Sequence, residues 1–328
     1  MERRKIQIIA GSTYSISLPK DWIKKHNLKE KNELMIDEKN DGSLGIFPHL
    51  REEKELKEIS LDVDIYTKNI NQILFAVYYL GIETINLYSK TEISKEIKTK
   101  IRKTLSNMSG TEISYEDKQR ITIKVLLDGL KVDLVQLLYR TSILIDSSLS
   151  DILEKVNVKE IILNENEIDR LYHLMTKIIS LSLVDSNILN SSNIKDSLLI
   201  PSYFLIGKKM ENIGDNIRRL GEYLSHNKNN FENKKEILNF LKEEINMGMR
   251  HLLKNCPKMF DKKPDSEFEK IAEDILKIKD KTISDYLREI LRYVVDIEEE
   301  IINICFYKKI ILEKNIKIET VSLKHNFS

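Results

Sequence analysis

The chain has 328 residues, more than a single hydrophobic core usually organises, so two or three domains are expected. It is 41% hydrophobic and 32% charged, with only 10 Gly and 5 Pro, which excludes a disordered chain and indicates a helix-rich globular one. Lys and Arg number 53 against 52 Asp and Glu, so no global charge excess announces a nucleic-acid partner, and any such contact has to come from a local patch.

Residues 1 to 48 read as strands and one short helix. Lys5 to Ile9 is an apolar-alternating run, Gly11 punctuates it, and Tyr14 to Leu18 alternates again before Pro19. A helix follows, with Asp21 at its start and Trp22, Ile23 and His26 on one face before Asn27 interrupts. Glu33 to Ile36 and Ser43 to Phe47 form a second strand pair around the turn Asn40-Asp41-Gly42.

Residues 57 to 127 read as βαβαββ: strand 59 to 63, helix Lys68 to Leu80, strand 84 to 88, helix Ser94 to Met108, strands 111 to 116 and 120 to 126. Gly81 and Gly110 fall just past the two helices, as stop signals do. No Gly-rich phosphate loop follows any strand.

From Gly129 the pattern is helical. Leu130, Leu134, Leu137, Leu138, Ile145, Leu149 and Ile152 make an apolar stripe, and helices at 165 to 185, 201 to 225, 234 to 254, 266 to 280 and 283 to 309 follow. Six helices suggest two three-helix units, and residues 311 to 328 read as a polar tail.

Cys256 and Cys305 are the only cysteines and lack C-x-x-C spacing, so they supply neither a disulfide framework nor a thiolate zinc site, and a reducing cytoplasm is the expected location. The basic start of the chain lacks the apolar stretch of a secretion signal, and no apolar run approaches the roughly 20 residues that span a bilayer; no membrane insertion is expected. Zincin, Walker A and nucleophile-elbow motifs are missing and the six His are scattered, so a non-enzymatic role is expected.

Three motifs carry the functional expectation. Residues 6 to 28, from Ile6 through Gly11-Ser12-Thr13-Tyr14 to Leu18-Pro19-Lys20 and Leu28, continuing to Pro48, resemble the AbrB/SpoVT/MazE swapped-hairpin family. That resemblance implies a β-barrel interleaved from two chains, hence a homodimer, and DNA as partner. The local charge agrees: residues 1 to 31 hold eight basic residues against three acids. Arg3, Arg4, Lys5, Lys20 and Lys24 are candidate phosphate contacts, and Ser12, Thr13 and Tyr14 beside the turn are candidate phosphate or base-edge contacts. Lys24, Lys25, Lys29 and Lys31 are equally readable as a solvated helix face. Tyr14 and Ser15 stand where many relatives carry a basic residue, a departure that bears on affinity.

The second motif, Glu211-Asn212-Ile213-Gly214-Asp215, resembles the PhoU signature, with Asn212 in place of Arg. Glu211 and Asp215 are four apart and share one helix face; Gly214 in mid-helix calls for a close helix or ligand approach. The third, Glu165-Asn166-Glu167-Ile168-Asp169-Arg170-Leu171, resembles the acidic motif on the preceding PhoU helix. Antiparallel pairing would bring Glu165, Asp169, Glu211 and Asp215 together, and carboxylates that close share protons or bind a cation. The resemblance implies a divalent or ferric metal ion there; two ordinary solvated acidic pairs are the alternative. His173 could reach the acids but reads as a helix-surface residue. Laying Leu287 to Tyr293 on Met210 to Asn216 turns both acids into Arg288 and Arg292, which could meet Glu269 or Glu273, so the second unit lacks the metal pattern.

The expected fold is therefore multidomain α+β: a swapped-hairpin module at 1–50, a βαβαββ domain at 55–128, a PhoU-like all-α bundle of two three-helix units at 129–310, and a tail at 311–328. The resemblance implies a transcriptional regulator of phosphate uptake. The alternative is a PhoU-type adaptor binding a phosphate transporter or sensor kinase, its β module serving only to dimerise. An antitoxin reading predicts a short toxin-binding tail, which some 180 patterned helical residues do not fit.

Overall fold

The computed structural model describes residues 3–9, 13–38, 43–48, 57–227, 231–254 and 265–321, and the chain divides into two compact units between Lys57 and Glu58. In the first unit, β1 (Gln7–Ile9) pairs antiparallel with β2 (Thr13–Ser15), Ile8 opposite Tyr14. Pro19, whose locked φ sets the extended approach, leads into α1 (Lys20–Lys25), and Asn27 ends the turn at φ +52. A second hairpin joins β3 (Met35–Glu38) to β4 (Leu44–Phe47), Ile36 opposite Ile46. Its turn residues Asn40, Asp41 and Gly42 lie outside the described residues. Among its described residues this unit of the single chain carries two separate two-stranded sheets, and the interleaved barrel that the resemblance implies takes a second chain. No described residue of this unit is buried.

The second unit opens with an α/β part: β5 (Glu58–Asp62), α2 (Val63–Tyr66), α3 (Ile70–Tyr79), β6 (Thr84–Tyr88), α4 (Lys95–Ser106), β7 (Thr111–Glu116) and β8 (Arg120–Val125). The sheet order is β5-β6-β8-β7, with β5 parallel to β6 and the other pairs antiparallel. Alternation places Leu61, Ile85, Leu87, Ile121 and Ile123 on one face, buried with Ile70, Leu74, Tyr78 and Ile101 of the helices. The helix expected over 68 to 80 is α3, and a separate turn, α2, capped by Asp62, precedes it where no helix was expected. Gly81 adopts φ +82, and a Cβ there would lie 2.7 Å from Leu181 Cδ2; both the turn and the close approach require glycine.

The remainder is helical: α5 (Leu134–Glu154), α6 (Val158–Ser182), α7 (Ser186–Ser191), α8 (Ile200–His226), α9 (Lys234–Leu253), α10 (Asp265–Leu276) and α11 (Lys281–Val321). Central α8 packs against α5, α6 and α11, and α9 packs against α5 and α11. Leu134, Leu138, Ile145, Leu149 and Ile152 are fully buried, as the stripe requires. Leu130 is not: it sits in a tight turn ahead of α5 and is 53% exposed. The six-residue α7 was too short to give a periodic signal. The polar reading of residues after 310 is corrected by α11, whose backbone continues to Val321. Cys305 is buried in this core, and Cys256 lies outside the described residues.

One face of α6 fastens the α/β part. Lys177, 3% exposed, donates from Nζ to Tyr78 O at 3.0 Å and lies 4.4 Å from the Tyr78 ring centroid, so a cation closes the last turn of α3. Burial lowers its pKa to about 8, opposed by Glu83. Arg170 Nη1 donates to Ser109 Oγ at 3.0 Å.

Candidate metal centre and nucleic-acid interface

In the second unit the site begins with glycine. Gly207, Gly214 and Gly221 recur every seven residues along α8, and a Cβ at each would face Met175, Ile168 and Ile161 in turn. The order runs down α6 as it runs up α8, so the two helices are antiparallel and close. Gly214 therefore answers a helix approach: its added Cβ would stand 3.1 Å from Ile168 Cδ1. That approach brings carboxylate oxygens of Glu165, Asp169 and Asp215 within 4.8 Å of one another.

The expected fourth acid, Glu211, is not in that group. Lys208, three residues back on the same helix, holds it at 2.6 Å. The cluster is also fringed by guanidinium groups that spacing alone had not singled out. Arg218 Nε donates to Glu165 Oε1 at 2.9 Å and its Nη1 to Glu222 Oε1 at 3.1 Å, while Arg219 Nη2 donates to Asp215 Oδ2 at 3.1 Å. The pairs 215/219 and 218/222 are four apart and legible in the sequence; the reach of Arg218 to Glu165, 53 residues away, is not.

Burial raises the pKa of Asp169 to about 7, and the charges of Glu165, Glu211 and Asp215 add to the rise against Lys208. Burial also raises Glu165, Arg218 pulls it back, and a hydrogen-bonded Asp215 adds to the rise. Such a pair of raised acids is a site where a cation could replace protons. Three hard oxygen donors suit Mg²⁺, Mn²⁺, Ca²⁺ or Fe³⁺ rather than soft metals.

Asp169 also has a stability consequence in the metal-free protein. Between its unfolded value of 3.8 and about 7 the folded state keeps a proton that the unfolded chain has released. Its contribution is full below the unfolded value and is lost as pH rises through about 7. Asp169→Asn should stabilise the protein at pH 8 by roughly 1–2 kcal/mol after solvent screening, seen as a higher melting temperature, and leave it nearly unchanged at pH 4. Thermal melts at the two pH values in the presence of chelator test this; equal shifts would refute it.

His173, read from sequence as a surface residue, lies between the acids and the α/β part. Its ring stacks on Phe75 at a centroid distance of 3.7 Å and its Nδ1 meets the Tyr79 hydroxyl. Burial, with Lys208 nearby, lowers its pKa to about 4, so it is neutral at physiological pH. Arg288 and Arg292 pair with Asp285 and Glu289 of their own helix rather than with Glu269 or Glu273, because i,i+3 partners lie nearer than a neighbouring helix.

In the first unit, Arg3, Arg4, Lys5, Thr13, Tyr14, Lys20 and Lys24 are all exposed, and Ser12 lies outside the described residues. Arg4 Nη1 reaches Ser17 Oγ at 3.5 Å, so the N-terminal segment runs back along the approach to α1, bringing Arg3 and Arg4 towards Lys20. Thr13 and Tyr14 stand at the other end of the hairpin. The pleat puts Tyr14 on one face with Ile6, Ile8 and Ile16, and Thr13 on the opposite face with Ile9 and Ser15.

Residues 7–53 match the family of the antidote-toxin recognition protein MazE, a bacterial antitoxin, and residues 144–224 match the PhoU domain. The chain thus carries a MazE/AbrB-like domain at its N-terminus and a PhoU domain in its C-terminal region, both regulatory, non-catalytic families. The second match ends before α9, so it covers the helices that hold the acids and not the α9–α11 half. No curated protein and no solved structure matches the chain. Among the described residues, no helix is long and apolar enough to cross a membrane.

Proposed function

From the premise that one chain joins a MazE/AbrB-like domain to a PhoU domain, we propose a homodimeric, DNA-binding transcriptional regulator linked to phosphate uptake. The observation that carries the reading is the first unit: exposed Arg3, Arg4, Lys5, Lys20 and Lys24 on a β module with no buried residue among those described. A module of that kind gains a core from a second copy, and a two-fold pair doubles the basic surface that meets phosphates. Ser12, Thr13 and Tyr14 are assigned to the DNA side by resemblance, with Tyr14 also facing the apolar side.

The PhoU part senses or relays phosphate status, and Glu165, Asp169 and Asp215 would hold a divalent or ferric ion, with Glu211 one turn away on Lys208. The ion would supply a fixed positive charge in place of protons and join α6 to α8. Contact with a phosphate transporter or sensor protein is part of the same proposal, as is a cytoplasmic location.

The test is binding of the full chain to fluorescent duplex DNA from its own upstream region across a salt series, beside an Arg3→Ala/Arg4→Ala variant. Tight binding that falls with salt, and a variant weaker by roughly a hundredfold with a shallower salt slope, is the expected result. Lack of binding even at low salt would overturn the regulator reading and put the adaptor in front.

A further inference from the structure

We infer that Arg218 is a built-in counter-ion of the acidic cluster, which an arriving cation displaces from Glu165 onto Glu222, so that this side chain sets the cation affinity of the site. The inference rests on the metal reading above and adds a residue that neither spacing nor the PhoU match assigns.

The geometry is that of a guanidinium between two carboxylates. Arg218 donates Nε to Glu165 across the helix pair at 2.9 Å and Nη1 to Glu222, one turn along its own helix, at 3.1 Å. The two acids differ in setting: the Glu165 side chain is 12% exposed and Glu222 39%. Arg218 therefore bridges a drier carboxylate and a wetter one, and giving up the first leaves it still bonded to the second.

The other cations cannot take this part. Lys208 is held by Glu211, which lies outside the three-carboxylate group, and Arg219 approaches Asp215 from the more exposed side. Five carboxylates, Glu165, Asp169, Glu211, Asp215 and Glu222, face Lys208, Arg218 and Arg219, a formal excess of two negative charges. A divalent ion balances that excess only where Arg218 stays within the group. With Glu222 to receive it, the guanidinium leaves the liganding oxygen without leaving the cluster. A direct ion–guanidinium repulsion is thereby exchanged for a retained ion pair.

The test is calorimetric titration of the full chain with Mn²⁺, using Arg218→Gln, Glu222→Gln, the double variant, and Asp169→Asn to mark the site. Arg218→Gln should bind Mn²⁺ about tenfold more tightly, and Glu222→Gln about tenfold more weakly. In the Arg218→Gln background the Glu222 substitution should have no further effect, since the landing carboxylate then has nothing to receive. Additive effects of the two substitutions would reduce Arg218 to ordinary background charge and overturn the inference, as would an unchanged affinity for Arg218→Gln. If the native chain and Asp169→Asn give the same flat titration, the metal reading itself fails, a result distinct from additivity. Should Arg218→Gln not fold, Arg218→Lys replaces it: a lysine lacks the planar fork that spans the two carboxylates, so the coupling to Glu222 should shrink while the charge stays.

Discussion

Gly214→Leu is expected to lower the melting temperature of the protein by roughly 5–10 °C, a loss of about 3 kcal/mol. The cause is the depth at which α8 lies on α6. A single Cβ at Gly214 already comes to 3.1 and 3.3 Å from Ile168, and at Gly221 to 2.8 Å from Ile161. Alanine at 214 meets the flexible end of an isoleucine and gains about 0.5–1 kcal/mol of helix propensity, so it should come out near neutral. Leucine adds three further carbons where no space exists and has to push the helices apart along a core that runs the length of both. Because Asp215 is the adjacent residue, the same displacement should also weaken Mn²⁺ binding. Circular dichroism melts of the Ala and Leu variants check the argument, and a Leu variant melting with the native protein would refute it.

The second large effect concerns the hairpins. Ile8→Asp combined with Ile36→Asp should convert the protein from dimer to monomer by light scattering and reduce DNA affinity by more than a hundredfold. Ile8 is 62% and Ile36 66% exposed in the single chain. Ile6, Tyr14 and Ile16 share the Ile8 face, while Ile46 and Leu44 share that of Ile36. Burying one such side chain stabilises an association by about 1.5–3 kcal/mol, and an unpaired carboxylate in its place costs more than that gain. Two substitutions per chain place four such charges in one dimer. The helical unit should melt as before, which separates loss of the interface from loss of folding. A native chain that is already monomeric would refute the dimer outright.

The sequence carried the elements further than the partners. β6 and β7 appear where alternation put them, and the ends of α8 and α9 fall within a residue or so of the expected positions. Gly81 and Gly110 both take positive φ, as stop signals should. Periodicity works there because a buried face repeats at the period of its own element. It cannot say which charge meets which. Glu211 and Asp215 share a helix face, yet only Asp215 joins the acids of α6, since Lys208 captures the other. His173 looked like a surface residue because what covers it, Phe75 and Tyr79, comes from a strand–helix region nearly a hundred residues earlier. The backbone beyond Ile310 failed for a different reason: its isoleucines are interspersed with lysines and make no clean stripe.

Glu165, Asp169, His173, Lys177 and Leu181 follow one another at four-residue steps along α6, acids in the first half and the α/β seat in the second. A chain cut at Asp128 would leave the helical half with a bare ammonium, an imidazole and a leucine facing water, and would leave α3 with its terminal carbonyl unclaimed. The two parts are thus separable in an alignment but not in a test tube: each is the other's missing wall. Shortened versions of this protein should be trimmed at Lys57, never between the sheet and the helices.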